Sequence, residues 1–172
     1  NSSQNMIVGK SNKESDSFDT LVFACRKIKK ALIPSTIKYI ASFSFQLCLE
    51  LTEIEFEENS ELESIGKFAF ARAPVDKITI PSNVRIINDF AFSQCLLLEK
   101  VDLSKSSNLF SIGKDAFAHS GLTSISIPAS VETIDDCAFF NCRTLRYIEF
   151  PEDSQLRSIG NKAFHQTLIS NF

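Results

Sequence analysis

The chain has no tryptophan, two tyrosines, one methionine, two histidines and five glycines in 172 residues. So few glycines leave no Gly-rich loop to cradle a phosphate. His119 and His165 are the only histidines, and neither has a third group beside it in sequence to complete a catalytic arrangement. Basic charge is not in excess: 18 Lys and Arg face 21 Asp and Glu, for a net −3. That balance argues against holding a polyanion, and so against a nucleic-acid partner. No uninterrupted apolar run approaches the ~20 residues of a membrane helix, so no membrane insertion is expected within this chain. Five cysteines, an odd number, argue against a disulfide framework. What remains is the composition of a folded domain, 44% hydrophobic and 23% charged, long enough to bury a core.

Phenylalanine is the exception to the scarcity of aromatics. There are 16, a bias that points to one structural position used many times. Internal periodicity supplies that position. Ile40, Ile87 and Ile134 are 47 residues apart, as are Pro34, Pro81 and Pro128, and Cys48, Cys95 and Cys142. Each period splits into halves of 22 and 25 residues, marked by Phe23, Phe45, Phe70, Phe92, Phe117, Phe139 and Phe164. Ala precedes five of these, at Ala69, Ala91, Ala116, Ala138 and Ala163.

The short halves read Leu122-x-x-Ile125-x-Ile127-Pro128, then Val131-x-x-Ile134, then Ala138-Phe139. Leu-x-x-Ile-x-Ile alternates as a half-buried strand requires, with Ile125 and Ile127 inward and Ser124 and Ser126 outward. Pro128 removes an N–H where the strand should stop. Ala-Phe, preceded by polar residues such as Lys114-Asp115, predicts a short helical turn that drops the ring into the core. One coil cannot bury its Phe and Ile alone; stacked coils can. Strands are therefore expected near 31–33, 54–56, 78–80, 101–103, 125–127 and 148–150. The fold class that follows is α/β: a right-handed leucine-rich-repeat solenoid with one parallel β-sheet and short helical turns on its convex side.

The whole chain, 1–172, reads as a single domain. Ile7, Phe18, Leu21 and Phe23 fall in register with Ile54, Ile65, Phe68 and Phe70, so 1–23 is a degenerate first coil or an N-terminal cap. Residues 24–168 are the alternating 22- and 25-residue repeats, and 169–172 begin a truncated next repeat. That leaves a C-terminal edge without a visible cap, open to end-to-end self-association. Residues 122–139, repeated at 75–92, resemble the BspA-like, or Treponema pallidum-type, leucine-rich repeats. Proteins of this kind occur in bacteria and in parasitic protists such as Trichomonas and Entamoeba. The resemblance implies a non-catalytic protein-binding module, with no catalytic residues, no cofactor and no metal. It further implies a surface or secreted location and adhesion to host or matrix proteins. A cytoplasmic interaction scaffold is the alternative, consistent with free thiols. The chain lacks the regular Asn column of the commonest leucine-rich pattern; Thr36, Asn83 and Ser130 occupy roughly that place.

Outward strand positions form columns. One column holds Lys30, Glu53, Lys77, Lys100, Ser124 and Tyr147; another holds Leu32, Glu55, Thr79, Asp102, Ser126 and Glu149. Acids alternating with hydroxyls keep like charges about two strand spacings, ~10 Å, apart. This reads either as a solvated face or as a mildly acidic ligand surface. On the second reading the binding residues are Tyr147, Arg146, Glu149, Lys100, Asp102, Lys77, Glu55 and Glu53. Tyr147 beside Arg146 is the expected anchor, since both residue types are enriched at binding hot spots. Arg26, Lys27, Lys29 and Lys30 form the one basic cluster, expected to be a solvated end-coil surface. Cys48, Cys95 and Cys142, two coils apart, lie beyond disulfide reach and read as buried core thiols.

Overall fold

The computed structural model describes residues 5–14 and 16–170. The chain winds as a β-solenoid of about six coils, and each coil contributes to three ribbons that run the length of the stack. The first ribbon holds the longer strands: β3 (Lys30–Ile33), β5 (Glu53–Phe56), β7 (Lys77–Ile80), β9 (Lys100–Leu103), β11 (Ser124–Ser126) and β13 (Tyr147–Glu149). They lie where the alternation places them, with Ala31, Ile54, Ile78, Val101 and Ile125 buried.

A second ribbon is built from two-residue strands: β4 (Tyr39–Ile40), β6 (Ser64–Ile65), β8 (Ile86–Ile87), β10 (Ser111–Ile112), β12 (Thr133–Ile134) and β14 (Ser158–Ile159). With β1 (Met6–Gly9) and β2 (Thr20–Ala24) they form an eight-stranded sheet. Its Ile column is buried from Ile40 through Ile134. The expectation of a single sheet is thus corrected. Each coil bends between its two strands, and both bends are hydrogen-bonded coil to coil. In two of the short coils the bend is bridged by residues proposed for the Asn place. Asn83 Nδ2 donates to the Ser60 carbonyl at 2.8 Å, and Ser130 Oγ donates to Ser107 and Leu109 carbonyls. In the long coils, Ser60, Ser107 and Ser154 each accept the N–H two residues on. That local turn is where two of the three extra residues reside.

The third ribbon replaces the expected helical turns; among the described residues there is no α-helix. The reason lies in the backbone. The residue two before each column Phe has positive φ (Phe43, Phe68, Phe90, Asp115, Cys137, Lys162), and so has the residue two after it (Leu47, Arg72, Gln94, His119, Asn141, Gln166). Left-handed residues four apart cannot continue a right-handed helix. They turn alternate N–H groups toward the next coil instead. Phe43, Phe45 and Leu47 donate to the carbonyls of Lys67, Ala69 and Ala71, and the pattern recurs along the stack. The N–H groups between them close three-residue turns within the coil, as in Gln46 to the Phe43 carbonyl.

The Phe column is continuous inside this ribbon. Phe45, Phe70, Phe92, Phe117 and Phe139 are fully buried. From Phe45 to Phe164 the rings stack at 4.9–5.3 Å between centroids. Phe23 departs from the expectation: it is 39% exposed on β2. β2 pairs with β1 antiparallel and with β4 through Leu21↔Ile40. Leu21, not Phe18, therefore enters the Ile column, three residues from the expected register. The antiparallel hairpin outweighs the repeat there, because the stretch between Ile7 and Phe18 is too polar to supply a buried coil segment.

Gly66, Gly113 and Gly160 have negative φ, and their role is close approach. A Cβ on Gly66 would stand 2.5 Å from the Ile40 carbonyl oxygen, and one on Gly160 2.3 Å from Asp136 N. The long coil presses its backbone against the short coil before it.

A candidate protein-binding face

The outward side chains of the first ribbon form the candidate face. Lys30 and Glu53 sit opposite one another on β3 and β5 and form an ion pair. Lys30 holds the Glu53 carboxyl below its ordinary range, chiefly by hydrogen bonding, and Glu53 raises Lys30 in return. Lys77 and Lys100 are neighbours on β7 and β9. Lys100 is tied to Asp102 on its own strand at 2.9 Å, which offsets that repulsion. Thr79 pairs with Asp102, and Ser126 Oγ donates to Glu149 Oε2 at 2.7 Å. Tyr147 is 71% exposed at the far end, with Arg146 exposed beside it in sequence. The eight residues thus fall in two groups. Glu53, Glu55, Lys77, Lys100 and Asp102 lie on β5, β7 and β9, while Arg146, Tyr147 and Glu149 lie on or next to β13, beyond β11.

Most of the basic cluster is engaged within the chain. The Arg26 guanidinium lies 4.8 Å from the Phe23 ring centroid and donates to the Ser44 carbonyl. Lys29 faces Glu50, and Lys30 faces Glu53.

Strand pairing alternates along the ribbon. Going from a short coil to a long one, β3–β5 and β7–β9 pair over four residues and β11–β13 over three. Going from long to short, β9 and β11 share a single pair, Ser124↔Lys100, and no ladder joins β5 to β7. A cleft of about 760 Å³ opens there, along Thr52 to Ser60 on one side and Asp76 to Asn83 on the other.

The residue that accounts for the opening is Pro74. One 47-residue period later stands Gly121. Gly121 donates its N–H to the Cys95 carbonyl, and a Cβ there would be 2.4 Å from the Leu96 carbonyl oxygen. Pro74 has no N–H to donate, and it carries a ring at the place where Gly121 tolerates only hydrogen. The entry to β7 stands off from the coil before it. Asp76 then forms no counterpart of the bonds that begin the other junctions, such as Glu99 N–H to the Asp76 carbonyl and Arg146 N–H to Thr123. Thr52, Asp76 and the cleft itself were outside the sequence-based site; the signal was a Pro in a Gly place.

The cleft is mostly acidic: Glu53, Glu55, Glu57 and Asp76 line it against Lys77 alone. Among the described residues no group of three or more His, Cys, Asp or Glu is placed to hold a metal ion. His119 Nδ1 lies 2.7 Å from Asn141 Nδ2 on the turn ribbon, remote in the coil from the strand face. No described helix is long and apolar enough to cross a membrane.

A coil of strand, bend, short strand and Phe turn, repeated with an outward polar strand face, defines a leucine-rich-repeat solenoid of the kind built for protein interaction. The chain belongs to the BspA type leucine rich repeat region family, whose model matches residues 16–120 and 110–172 in six copies. Three solved structures are similar. A leucine-rich repeat protein from Bacteroides ovatus is 25% identical with a TM-score of 0.68, over 98% of this chain and 57% of that one. The pneumococcal vaccine antigen PcpA is 27% identical with a TM-score of 0.69, over 83% of this chain and 34% of that one. The Treponema pallidum leucine rich repeat protein shares the fold at 21% identity and a TM-score of 0.71, over 91% of this chain and 84% of that one. The chain thus spans little more than half of the first and about a third of the second. No curated protein matches it.

Proposed function

We propose that the chain is a non-catalytic module that binds a protein partner through its strand face, as part of a surface or secreted adhesion protein directed at host or matrix proteins. The observation that carries this reading is the exposed, polar, strand-borne surface with Tyr147 and Arg146 at one end and the acidic cleft between its second and third strands. Rigid strands position such side chains at little entropic cost, and an exposed Tyr supplies a large amphipathic contact. Likeness to a vaccine antigen supports the outward location. A cytoplasmic scaffold is the second reading, favoured by five free cysteines.

Binding to a panel of purified host extracellular proteins, measured for the unmodified chain and for Tyr147→Ala, tests the proposal. Truncation of Tyr147 should weaken binding by about 1–3 kcal/mol if it is an anchor. Arg85→Ala, exposed and away from the strand face, is the control. Equal loss from both, or loss from Arg85→Ala alone, would move the site off the strand face. Absence of binding to any extracellular protein would favour the scaffold.

A further inference from the structure

We propose that the β5/β7 cleft receives an arginine side chain from an extended segment of the protein partner; the inference rests on the strand-face reading and names the chemistry it recognises. The opened junction leaves the facing edges of two strands without their ladder, so main-chain N–H and C=O groups along Glu53–Phe56 and Lys77–Ile80 have no ladder partner on that side. Such an edge is a ready template for another chain. Width decides what enters. β5 and β7 still have Cα pairs within 8 Å, whereas an inserted strand needs two ladder spacings, roughly 9.6 Å. The gap is too wide for a ladder and too narrow for a strand. The groove above the strands, about 760 Å³, has room for a side chain.

Charge selects the cation. Four carboxylates line the cleft against one lysine. Glu53 is held by Lys30, and Glu57 Oε2 accepts the Ser35 N–H at 2.9 Å. Glu55 lies close to Glu53 and within the field of Lys30, but neither it nor Asp76 forms an ion pair among the described residues. A guanidinium presents five donors in one plane, enough to serve edge carbonyls and two carboxylates together; an ammonium is a compact point charge with three. The cleft is specific to this junction, because the next long-to-short junction carries Gly121 and keeps its strand pair.

The probes are acetyl-Ser-Arg-Ser-amide and its lysine counterpart, titrated into the full chain and followed by amide chemical shifts. Saturable shifts should concentrate at residues 52–57 and 76–80 with the arginine peptide. The lysine peptide and the Glu55→Gln/Asp76→Asn variant should each bind about tenfold more weakly. Pro74→Gly, which restores the glycine found at 121, should close the junction, slow amide exchange at 76–79 and abolish the shifts. Glu152→Gln, in a distant coil, should leave them unchanged. Shifts that are absent, spread over the whole face, indifferent to Glu55→Gln/Asp76→Asn, or equal for lysine would overturn the proposal. If they are absent while Tyr147→Ala still weakens a protein complex, the cleft assignment alone fails. If the peptide binds but no protein does, the adhesion reading fails and the cleft stands.

Discussion

The Cys95 thiol donates to the carbonyl oxygen of Phe70 in the preceding coil at 3.2 Å, and Cys142 repeats the relationship with Phe117 at 3.1 Å. Each thiol lies at the outlet of the Phe turn, fully buried and unoxidised. Burial pushes Cys95 from the ordinary 9.0 up to about 12. Native labelling by a thiol reagent at neutral pH should therefore be slow at Cys48, Cys95 and Cys142 and fast at exposed Cys25.

The same shift has a consequence for stability. The folded chain holds the Cys95 proton more tightly than the unfolded chain. The contribution is fully present below about pH 9 and is lost as pH rises toward 12. The urea midpoint should fall across that window, and Cys95→Ala should flatten the fall. An equal fall in both proteins would assign it to other groups.

Ser44 interrupts the Ala column that precedes the buried rings, and its hydroxyl is buried without a hydrogen-bond partner among the described residues. The five other coils place Ala there. Ser44→Ala removes the desolvated hydroxyl without altering the backbone, and should stabilise the fold by about 1–2 kcal/mol. A lower urea midpoint would show that the Ser44 hydroxyl is hydrogen-bonded in the folded chain.

Two stacks of phenylalanine occupy the turn ribbon, and they should respond differently to truncation. Phe92 stacks between Phe70 and Phe117 at 5.2 Å on each side and is fully buried. Phe92→Ala should destabilise by about 3–5 kcal/mol. Phe43 caps an outer stack, 5.3 Å from Phe68, and is 46% exposed. It also holds φ at 64°, where a bulky side chain is disfavoured. Phe43→Ala should change stability by less than about 1 kcal/mol.

The parts of this fold that sequence revealed are those whose side chains carry the repeat. Ile54, Ile78 and Ile125 alternate with polar neighbours, so their strands were placed from period alone, as were the buried rings from Phe45 to Phe139. The turn ribbon was not legible because its left-handed positions hold Phe, Leu, Arg, Gln, Asp, His, Cys, Asn and Lys, with no glycine to mark them. The glycines that do recur, at 66, 113 and 160, serve backbone contact at negative φ. Helical turns were inferred from Ala-Phe composition, and inter-coil hydrogen bonding won. Tyr147 and Glu55 were identified as outward by alternation. The cleft beside Glu55 depends on spacing between coils, which a column of residue types does not record.

The part Pro74 plays in that spacing can be tested at the junction where the strand pair survives. Gly121 faces the Leu96 carbonyl, and its N–H reaches the Cys95 carbonyl at 3.3 Å. Gly121→Pro places in the β9/β11 junction the residue that stands at β5/β7. The substitution forces the coils apart and deletes one hydrogen bond, for a combined loss of about 2–4 kcal/mol. Neighbouring coils remain joined through the second ribbon, where Ser111 and Ile112 pair with Thr133 and Ile134, so the chain should still fold. Amide exchange should rise at residues 123–126 and stay unchanged at 148 and 149, which pair with β11 from the other side. Uniform acceleration over all strands would indicate global destabilisation. An unchanged pattern would mean that proline alone does not open a junction.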